Sequence, residues 1–293
     1  MKKSIIALAV AGALTAPMIA QADATLFGGV RFEVVKVKNT KVISTTPKAN
    51  IGVKGSETMN NGLTAGYYIE YKSGGGSVTS GTVDLDKANV YVAGDFGTVT
   101  FGKSDTSIKA VEGRAKFLAF SDGALAINSD NINYGGIAYT SGDMNGLSFA
   151  ADVGNVRTSN DAAVSSSAYS FNVAYDTDVF GVTLGAGKND ESGDSQVGIG
   201  AQFHYGAGTI GASFSKENTV KVIALGANYK VDQLTLAAEF NQQKNSGSTK
   251  PRTFGVSASY DLGGNAYVAA EYLDRNSDAG DADQLKLRYN VSF

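Results

Sequence analysis

The sequence of 293 residues lacks cysteine and tryptophan and contains only one histidine and three prolines. Without cysteine the fold relies on no disulfide, and a zinc ion would find no thiolate ligands. The single histidine, His204, has no nucleophile motif near it, so the base and orienting partner of a hydrolase are not both available. We therefore expect no enzyme, and neither a metal nor a cofactor.

Long apolar runs are missing as well. No segment approaches the roughly 18 uninterrupted apolar residues of a membrane-spanning helix. The one short apolar run, Ile5 to Leu14, follows two lysines and precedes an Ala-Gln-Ala site at 20–22. This order is typical of a secretory signal peptide, which we place at 1–22, with the mature chain starting at Asp23 or one or two residues later.

Neither sign of charge is in large excess. Removal of 1–22 takes two lysines from the 25 basic residues, and the 28 acidic residues then leave a net charge of −5 for 23–293. This mild acidic balance argues against nucleic acid as a partner. Glycine is abundant, with 36 residues, and many glycines with little proline are typical of closely spaced strands and tight turns.

Apolar and polar residues alternate through most of 23–293. In the last segment Leu285, Leu287, Tyr289, Val291 and Phe293 share one face, and the residues between them are polar. A period of two predicts strands that are apolar on one side only. Sixteen segments show it: 25–37, 48–56, 62–72, 84–93, 98–103, 132–140, 146–156, 168–176, 180–188, 195–205, 208–216, 219–229, 232–242, 251–260, 265–274 and 282–293.

The polar faces carry more charge than a soluble sandwich could bury cheaply between its sheets, whereas a wet lumen solvates such groups. These charges are Arg31, Glu33, Lys54, Glu70, Lys87, Asp152, Glu239, Glu271, Lys286 and Arg288. Short connectors alternate with longer polar ones, and aromatic residues recur near the ends of the even-numbered strands. The sequence thus predicts an all-β fold over 23–293: a transmembrane antiparallel β-barrel of about 16 strands, with short periplasmic turns and long extracellular loops.

Four segments resemble the general, trimeric porins of Gram-negative bacteria: NIGVKGSETMNNGLTAGYYIEY at 50–71, NVYVAGDFGTVTFGKSD at 89–105, MNGLSFAADVG at 144–154 and LKLRYNVSF at 285–293. The resemblance implies a water-filled outer-membrane channel for passive diffusion of small hydrophilic solutes and ions. It also implies a homotrimer, surrounded by outer-membrane lipid and lipopolysaccharide, whose terminal Phe293 is read by the barrel-assembly machinery. A substrate-specific channel, or a barrel that acts mainly in adhesion through its surface loops, is the alternative.

The longest connector, about 104–131, shows no strand pattern, and a loop of that length is usually functional or disordered. By resemblance to the family, it folds into the lumen as a constriction whose acids face a basic wall. The loop acids are Asp105, Glu112, Asp122 and Asp130. The candidates for the basic wall are Arg31, Lys54, Lys87 and Arg288. Because the first and last strands meet on closure, Arg31, Lys54 and Arg288 are expected to form one arc.

Overall fold

The computed structural model describes residues 24–41, 43–73, 82–120, 135–156, 166–189, 194–244, 250–277 and 280–293. The predicted signal peptide lies outside these ranges. Within them the chain forms one short helix, α1 (Lys109–Gly113), and one antiparallel sheet. No helix among the described residues is long and apolar enough to cross a membrane.

The strands of the sheet are β1 (Thr25–Val37), β2 (Ile43–Thr58), β3 (Thr64–Ser73), β4 (Val83–Gly94), β5 (Gly97–Lys103), β6 (Gly136–Thr140), β7 (Leu147–Val156), β8 (Ser166–Asp176), β9 (Phe180–Asn189), β10 (Asp194–Tyr205), β11 (Gly208–Glu217), β12 (Val220–Val231), β13 (Leu234–Lys244), β14 (Arg252–Gly263), β15 (Ala266–Ser277), β16 (Gly280–Asp281) and β17 (Gln284–Ser292). The two-residue β16 only lengthens the hairpin between β15 and β17. The wall described here therefore consists of sixteen strands.

The sheet closes on itself. Each strand pairs with its neighbour in sequence, and β1 also pairs with β17, from Gly29 opposite Ser292 to Val37 opposite Gln284. At the end of this seam Gly28 and Phe293 exchange two backbone hydrogen bonds, of 3.1 and 3.0 Å. Closure pairs the edges that an open sheet would expose, which is a requirement in lipid. The predicted transmembrane β-barrel is confirmed.

The two faces of the wall differ in polarity. In β17, Leu285, Leu287 and Tyr289 are 49, 49 and 50% exposed on the outer side, while Lys286 and Arg288 are almost fully buried on the inner side. The same alternation recurs around the barrel, so the outer face forms a continuous apolar belt. All described strands belong to one sheet, so lipid rather than a second sheet must cover this belt.

Tyrosines mark one rim of the apolar belt. Tyr175, Tyr205, Tyr229 and Tyr260 lie near the ends of β8, β10, β12 and β14 and are 44, 37, 45 and 47% exposed. The rings of Tyr205 and Tyr229 stack with their centres 6.1 Å apart. Tyrosine is favoured where the hydrocarbon meets water, so this rim lies at a membrane interface. Both chain termini of the barrel lie at the same end.

The second strand differs from its predicted extent. It was expected at 48–56 but begins at Ile43 and includes Pro47, which stands opposite Phe32 of β1. A proline cannot donate a ladder hydrogen bond and is tolerated where a strand lies at an edge. In the described residues β2 pairs with β3 only from Asn50 onward, so Pro47 occupies such an edge. The sequence pattern predicts a connector at Pro47, whereas the strand of the structure continues through it.

Candidate functional site

The segment after β5 lies inside the barrel. Its described part, residues 104–120, is called the lumen loop below and contains α1. Near its start the backbone N–H of Ser107 donates a hydrogen bond to Asp152 on β7, at 2.5 Å. At its end the N–H of Phe120 donates to Glu271 on β15, at 3.0 Å. The lumen loop therefore crosses the inner wall from β7 to β15.

Wall carboxylates hold the lumen loop by its main chain. Glu239 on β13 is 2% exposed and accepts hydrogen bonds from the N–H groups of Phe117 and Leu118, at 2.9 and 3.3 Å. The neighbouring Ser257 accepts one from the N–H of Ala119, at 3.1 Å. Loop N–H groups have no strand partner, so they need such acceptors when buried. Hydrogen bonds to a carboxylate are among the stronger ones, so this attachment is firm.

Inward-facing glycines form a bed under the lumen loop. This glycine track consists of Gly185, Gly198, Gly200, Gly211, Gly226 and Gly255, on strands β9 to β12 and β14. A Cβ atom at Gly211 would collide with the carbonyl oxygen of Arg114, and one at Gly226 would collide with the ring of Phe117. The track lets the loop lie flat on the wall, where Val111 and Ala115 are 1 and 0% exposed.

Arg114 anchors the middle of the lumen loop. Its guanidinium forms a bidentate pair with Asp176 at the end of β8, with Nη1–Oδ1 and Nη2–Oδ2 distances of 2.5 and 2.8 Å. Its Nε donates to the hydroxyl of the fully buried Thr183, at 2.8 Å. The planar fork of arginine matches a carboxylate in this way, which fixes direction as well as distance.

Three cations surround Glu33 on β1, and we call these four residues the Glu33 cluster. Arg288 approaches Oε1 with Nη2 at 2.6 Å and Nε at 3.0 Å. Lys48 Nζ lies 3.0 Å from Oε2, and Arg31 Nε lies 3.3 Å from Oε1. One acid against three bases leaves a net charge of about +2. The side chain of Arg31 is 42% exposed, so it is the member that faces water.

Arg288 also joins the Glu33 cluster to the lumen loop. Its Nη1 donates to the carbonyl of Ala119 at 3.0 Å, and its guanidinium carbon lies 4.0 Å from the centre of the Phe120 ring. A guanidinium over an aromatic face is attracted by the electrons of the ring. The end of the loop is thus fixed against the seam between β1 and β17.

A second charged group lies at the start of the lumen loop. Asp105 accepts hydrogen bonds from Lys87 on β4 at 2.7 Å and from Lys109 at 3.1 Å. Burial alone would raise the pKa of the Asp105 carboxyl, but the two lysines outweigh burial and hold that pKa below its usual range. These residues line a cavity of about 690 Å³ between the loop and strands β3 to β8, together with Tyr68 and Tyr91.

The predicted site residues are not all brought together. Lys87 and Asp105 meet, and Arg31 and Arg288 both contact Glu33. Lys54 stands opposite Thr25, six residues before Arg31 on β1, so it lies about 20 Å away along the strand. The expected arc of Arg31, Lys54 and Arg288 is therefore wrong, because the register places Lys54 near the end where β1 begins.

The loop acids also differ from expectation. Glu112 pairs with Lys116 of the same loop, at 3.0 Å, and its side chain is 10% exposed. Asp122 and Asp130 lie outside the described residues. Of the two predicted acids that lie within the described residues, Asp105 forms an ion pair with Lys87 of the barrel wall.

Sequence reasoning missed Lys48 as the partner of Glu33. Lys48 has the same strand parity as Lys54 and was assigned to the first position of its strand, directly after Pro47. Only the register of β1 and β2, with Arg31 opposite Lys48, identifies it. The sequence pattern predicts Glu239 and Glu271 as inward charges, but it does not predict their role as acceptors for the lumen loop.

A closed barrel with an apolar outer belt, and with a loop fixed inside a charged lumen, defines an outer-membrane channel. Residues 7–280 match the family model described as Gram-negative porin. Outer membrane porin protein 32 of Delftia acidovorans is 27% identical over 311 aligned residues, which cover 99% of this chain and 79% of that protein.

Solved structures show the same fold. OmpF of Salmonella typhi, solved with daunomycin, is 18% identical, with a TM-score of 0.78 over 92% of this chain and 97% of that one. A triple mutant of the Rhodopseudomonas blastica porin is 17% identical, with a TM-score of 0.76 over 92% of this chain and all of that one. The chain belongs to the Gram-negative porin family. It is a multi-pass outer-membrane protein that forms a channel for passive diffusion.

Proposed function

We propose that the channel is non-specific and that the lumen loop sets its size limit. The observation that carries this proposal is the attachment of the loop across the inner wall, from Asp152 on β7 to Glu271 on β15. A loop held in this way fills part of a barrel whose outline is fixed by closed strands. The remaining cavity is lined by charges of both signs and by two tyrosines, Tyr68 and Tyr91. That lining suits hydrated solutes rather than one sugar.

Liposome swelling with uncharged sugars tests the proposal. Rates should fall steeply with the size of the sugar and should be equal for isomers of the same size, because the described residues of the lumen form no aromatic track that would select among them. Empty liposomes provide the control. A rate for one sugar that greatly exceeds the rate of its isomers would favour the substrate-specific alternative.

We also propose that the protein assembles as a homotrimer. The resemblance to general porins supports this, as does the apolar outer face of the strands near the seam, where Val30 and Phe32 are 57 and 46% exposed. Large apolar surface of this kind is favourable at a contact between copies. An unheated detergent extract should have the mass of three chains by light scattering. A mass of one chain would contradict the trimer and leave the channel proposal intact.

No catalytic role is assigned to His204. Its ring Nδ1 lies 3.1 Å from the hydroxyl of Thr209 on the neighbouring strand. A cross-strand hydrogen bond of this kind is an ordinary way to satisfy an inward polar group.

A further inference from the structure

His204 is the one histidine of the chain, which contains no cysteine. Histidine is the side chain whose ordinary range of titration falls between about pH 5 and pH 8. Aspartate and glutamate are ordinarily ionised throughout that interval, and lysine and arginine are ordinarily protonated. The sequence therefore contains a single side chain of the type that changes its charge near neutral pH.

His204 lies on the inner face of β10, on the periplasmic side of the lumen loop. Gly200 on the same face touches the loop, since a Cβ atom there would collide with the carbonyl oxygen of Val111. His204 is four residues further along β10, which is about 13 Å closer to the turn after Tyr205. We call the part of the lumen between the loop and the periplasmic turns the vestibule. A solute that passes the loop therefore enters the space that contains this imidazole.

The imidazole ring of His204 can gain a proton without losing its hydrogen bond. Its Nδ1 lies 3.1 Å from the hydroxyl of Thr209, which stands directly opposite on β11. A hydroxyl group both donates and accepts, so it can serve the neutral ring and the protonated ring alike. Within the described part of the chain no partner is found for Nε2, and this atom is not among those closed off from water. The ring can therefore exchange a proton with the water of the vestibule.

The charged groups around His204 balance one another. Arg114 of the lumen loop and Asp176 of β8 form the bidentate pair described above, which has no net charge. Toward the rim, Asp178 and Lys230 are both exposed and have opposite signs. These four groups together contribute a charge of about zero. A proton on His204 therefore changes the charge of this part of the vestibule from about zero to about +1.

The side chains that flank His204 on the wall are neutral. Gln202 precedes it on the same face of β10 and has Gly181 of β9 opposite it. On the other side, Thr209 of β11 faces His204, and Asn228 of β12 faces Thr209. The added charge of a protonated ring is thus not masked by a neighbouring ion on the adjacent strands.

We propose that His204 sets the ion selectivity of the channel, and that its protonation shifts permeation toward anions. Coulomb's law for a single charge roughly 8 Å from the path of an ion, screened by about 0.1 M salt, gives about a 1.5-fold enrichment of anions and an equal depletion of cations. The ratio of chloride to potassium permeability should therefore rise about twofold when the ring is protonated. This inference goes beyond the proposed size limit, because a limit on size does not distinguish the sign of a charge.

Reversal potentials across a planar bilayer test the proposal. The protein is measured in a potassium chloride gradient of about 0.1 M, at about pH 8 and about pH 5.5. His204→Gln should keep the permeability ratio of the higher pH at both values, because glutamine carries no charge. His204→Lys should show the ratio of the lower pH at both values, because lysine stays protonated. Thr209→Val is the matched control, which removes the hydrogen bond but keeps the ring, and it should retain the dependence on pH.

Salt concentration tests the electrostatic origin of the effect. In 1 M potassium chloride the Debye length is about 3 Å, so the dependence of the permeability ratio on pH should nearly disappear. A dependence that persists at this concentration would contradict a direct effect of the charge on passing ions.

Three further outcomes would overturn the proposal. One is an unchanged permeability ratio between the two pH values in the unchanged protein, and another is a dependence on pH that survives in His204→Gln or His204→Lys. The third is a loss of this dependence in Thr209→Val, which would indicate a structural role for the hydrogen bond. Single-channel conductance of each variant shows that its barrel is intact. A failure of the proposed size limit would appear in the swelling rates with uncharged sugars, which do not respond to the charge of His204.

Discussion

At the scale of single residues, the charges of the lumen act through their neighbours. Arg31 belongs to the Glu33 cluster, yet it is the member most exposed to water. Arg288 in the same cluster is buried and is engaged with the lumen loop. The field felt by a passing ion therefore depends on Arg31 more than on Arg288, because exposed charges are the ones that solutes approach.

Replacement of Arg31 by glutamine should shift permeation toward cations. The Debye length is about 10 Å at 0.1 M salt, so the charge acts on ions that pass close to it. The reversal potential in a potassium chloride gradient measures the shift. Lys54→Gln is the matched control, because it removes the same charge from β2 near the end where β1 begins. It should shift the reversal potential less. Equal shifts in both variants would contradict a special position for Arg31.

The lowered pKa of Asp105 predicts how the stability of the protein depends on pH. Its folded-state pKa is lowered, so its ion pairs stabilise the fold fully above the unfolded value of about 3.9, and this stabilisation is lost as the pH falls through the folded pKa. The melting temperature of Asp105→Asn should therefore differ from that of the unchanged protein by a constant amount between pH 7 and about pH 4. The difference should shrink only below that range. A difference in melting temperature that vanishes near pH 6 would contradict a lowered pKa for Asp105.

At the scale of elements, the lumen loop and the glycine track are complementary. The loop places Val111, Ala115 and Leu118 against glycine positions of the wall, where an added Cβ atom would collide with them. The six glycines of the track lie on five strands, yet together they form one bed for a single segment. The loop conformation is thus built into the wall.

Gly211→Ala tests this fit. The new methyl group would collide with the Arg114 carbonyl oxygen, so the loop must move. Overpacking of this kind lowers the free energy of unfolding by about 1–3 kcal/mol. Urea unfolding in detergent measures the change, and current noise in a bilayer should rise as the loop loosens. Gly142→Ala is the control, since nothing lies within 4 Å of its Cβ position. Equal stability of both variants would argue against a close fit.

The strands were predictable and the path of the loop was not, for a physical reason. A period of two is a local property, so each strand can be recognised from its own residues, as in β17. The loop attachment joins Phe117 to Glu239, 122 residues apart, and no local pattern contains that pairing. The misplaced Lys54 has the same origin, because register between strands decides which inward cations meet. The inward glycines of β9 to β12 and β14 are the signal in the sequence that indicates where the loop lies against the wall.

At the scale of the whole molecule, Phe293 closes the seam. Its main chain exchanges two hydrogen bonds with Gly28, while the residue as a whole remains 58% exposed. We predict that the assembly machinery reads this ring before the barrel closes, and that the main chain completes closure afterwards.

Two variants separate these roles of Phe293. Deletion of Phe293 removes both the ring and the two hydrogen bonds, whereas Phe293→Ala removes the ring alone. If the assembly machinery reads the aromatic ring, both should lower the yield of heat-modifiable protein in the outer membrane, with the remainder degraded in the periplasm. A normal yield for Phe293→Ala would exclude the ring as the signal.

The central claim is that the lumen loop narrows a water-filled barrel. Single-channel conductance in a planar bilayer measures the narrowing directly. Removal of residues 109–119, which takes α1 and the contacts of Arg114 and Phe117 out of the lumen, should raise the conductance in 1 M potassium chloride clearly above that of the unchanged protein, because the barrel wall keeps its outline. The Gly142→Ala variant should conduct as the unchanged protein does. An unchanged conductance after the removal, in a protein that still forms heat-modifiable barrels, would contradict the account.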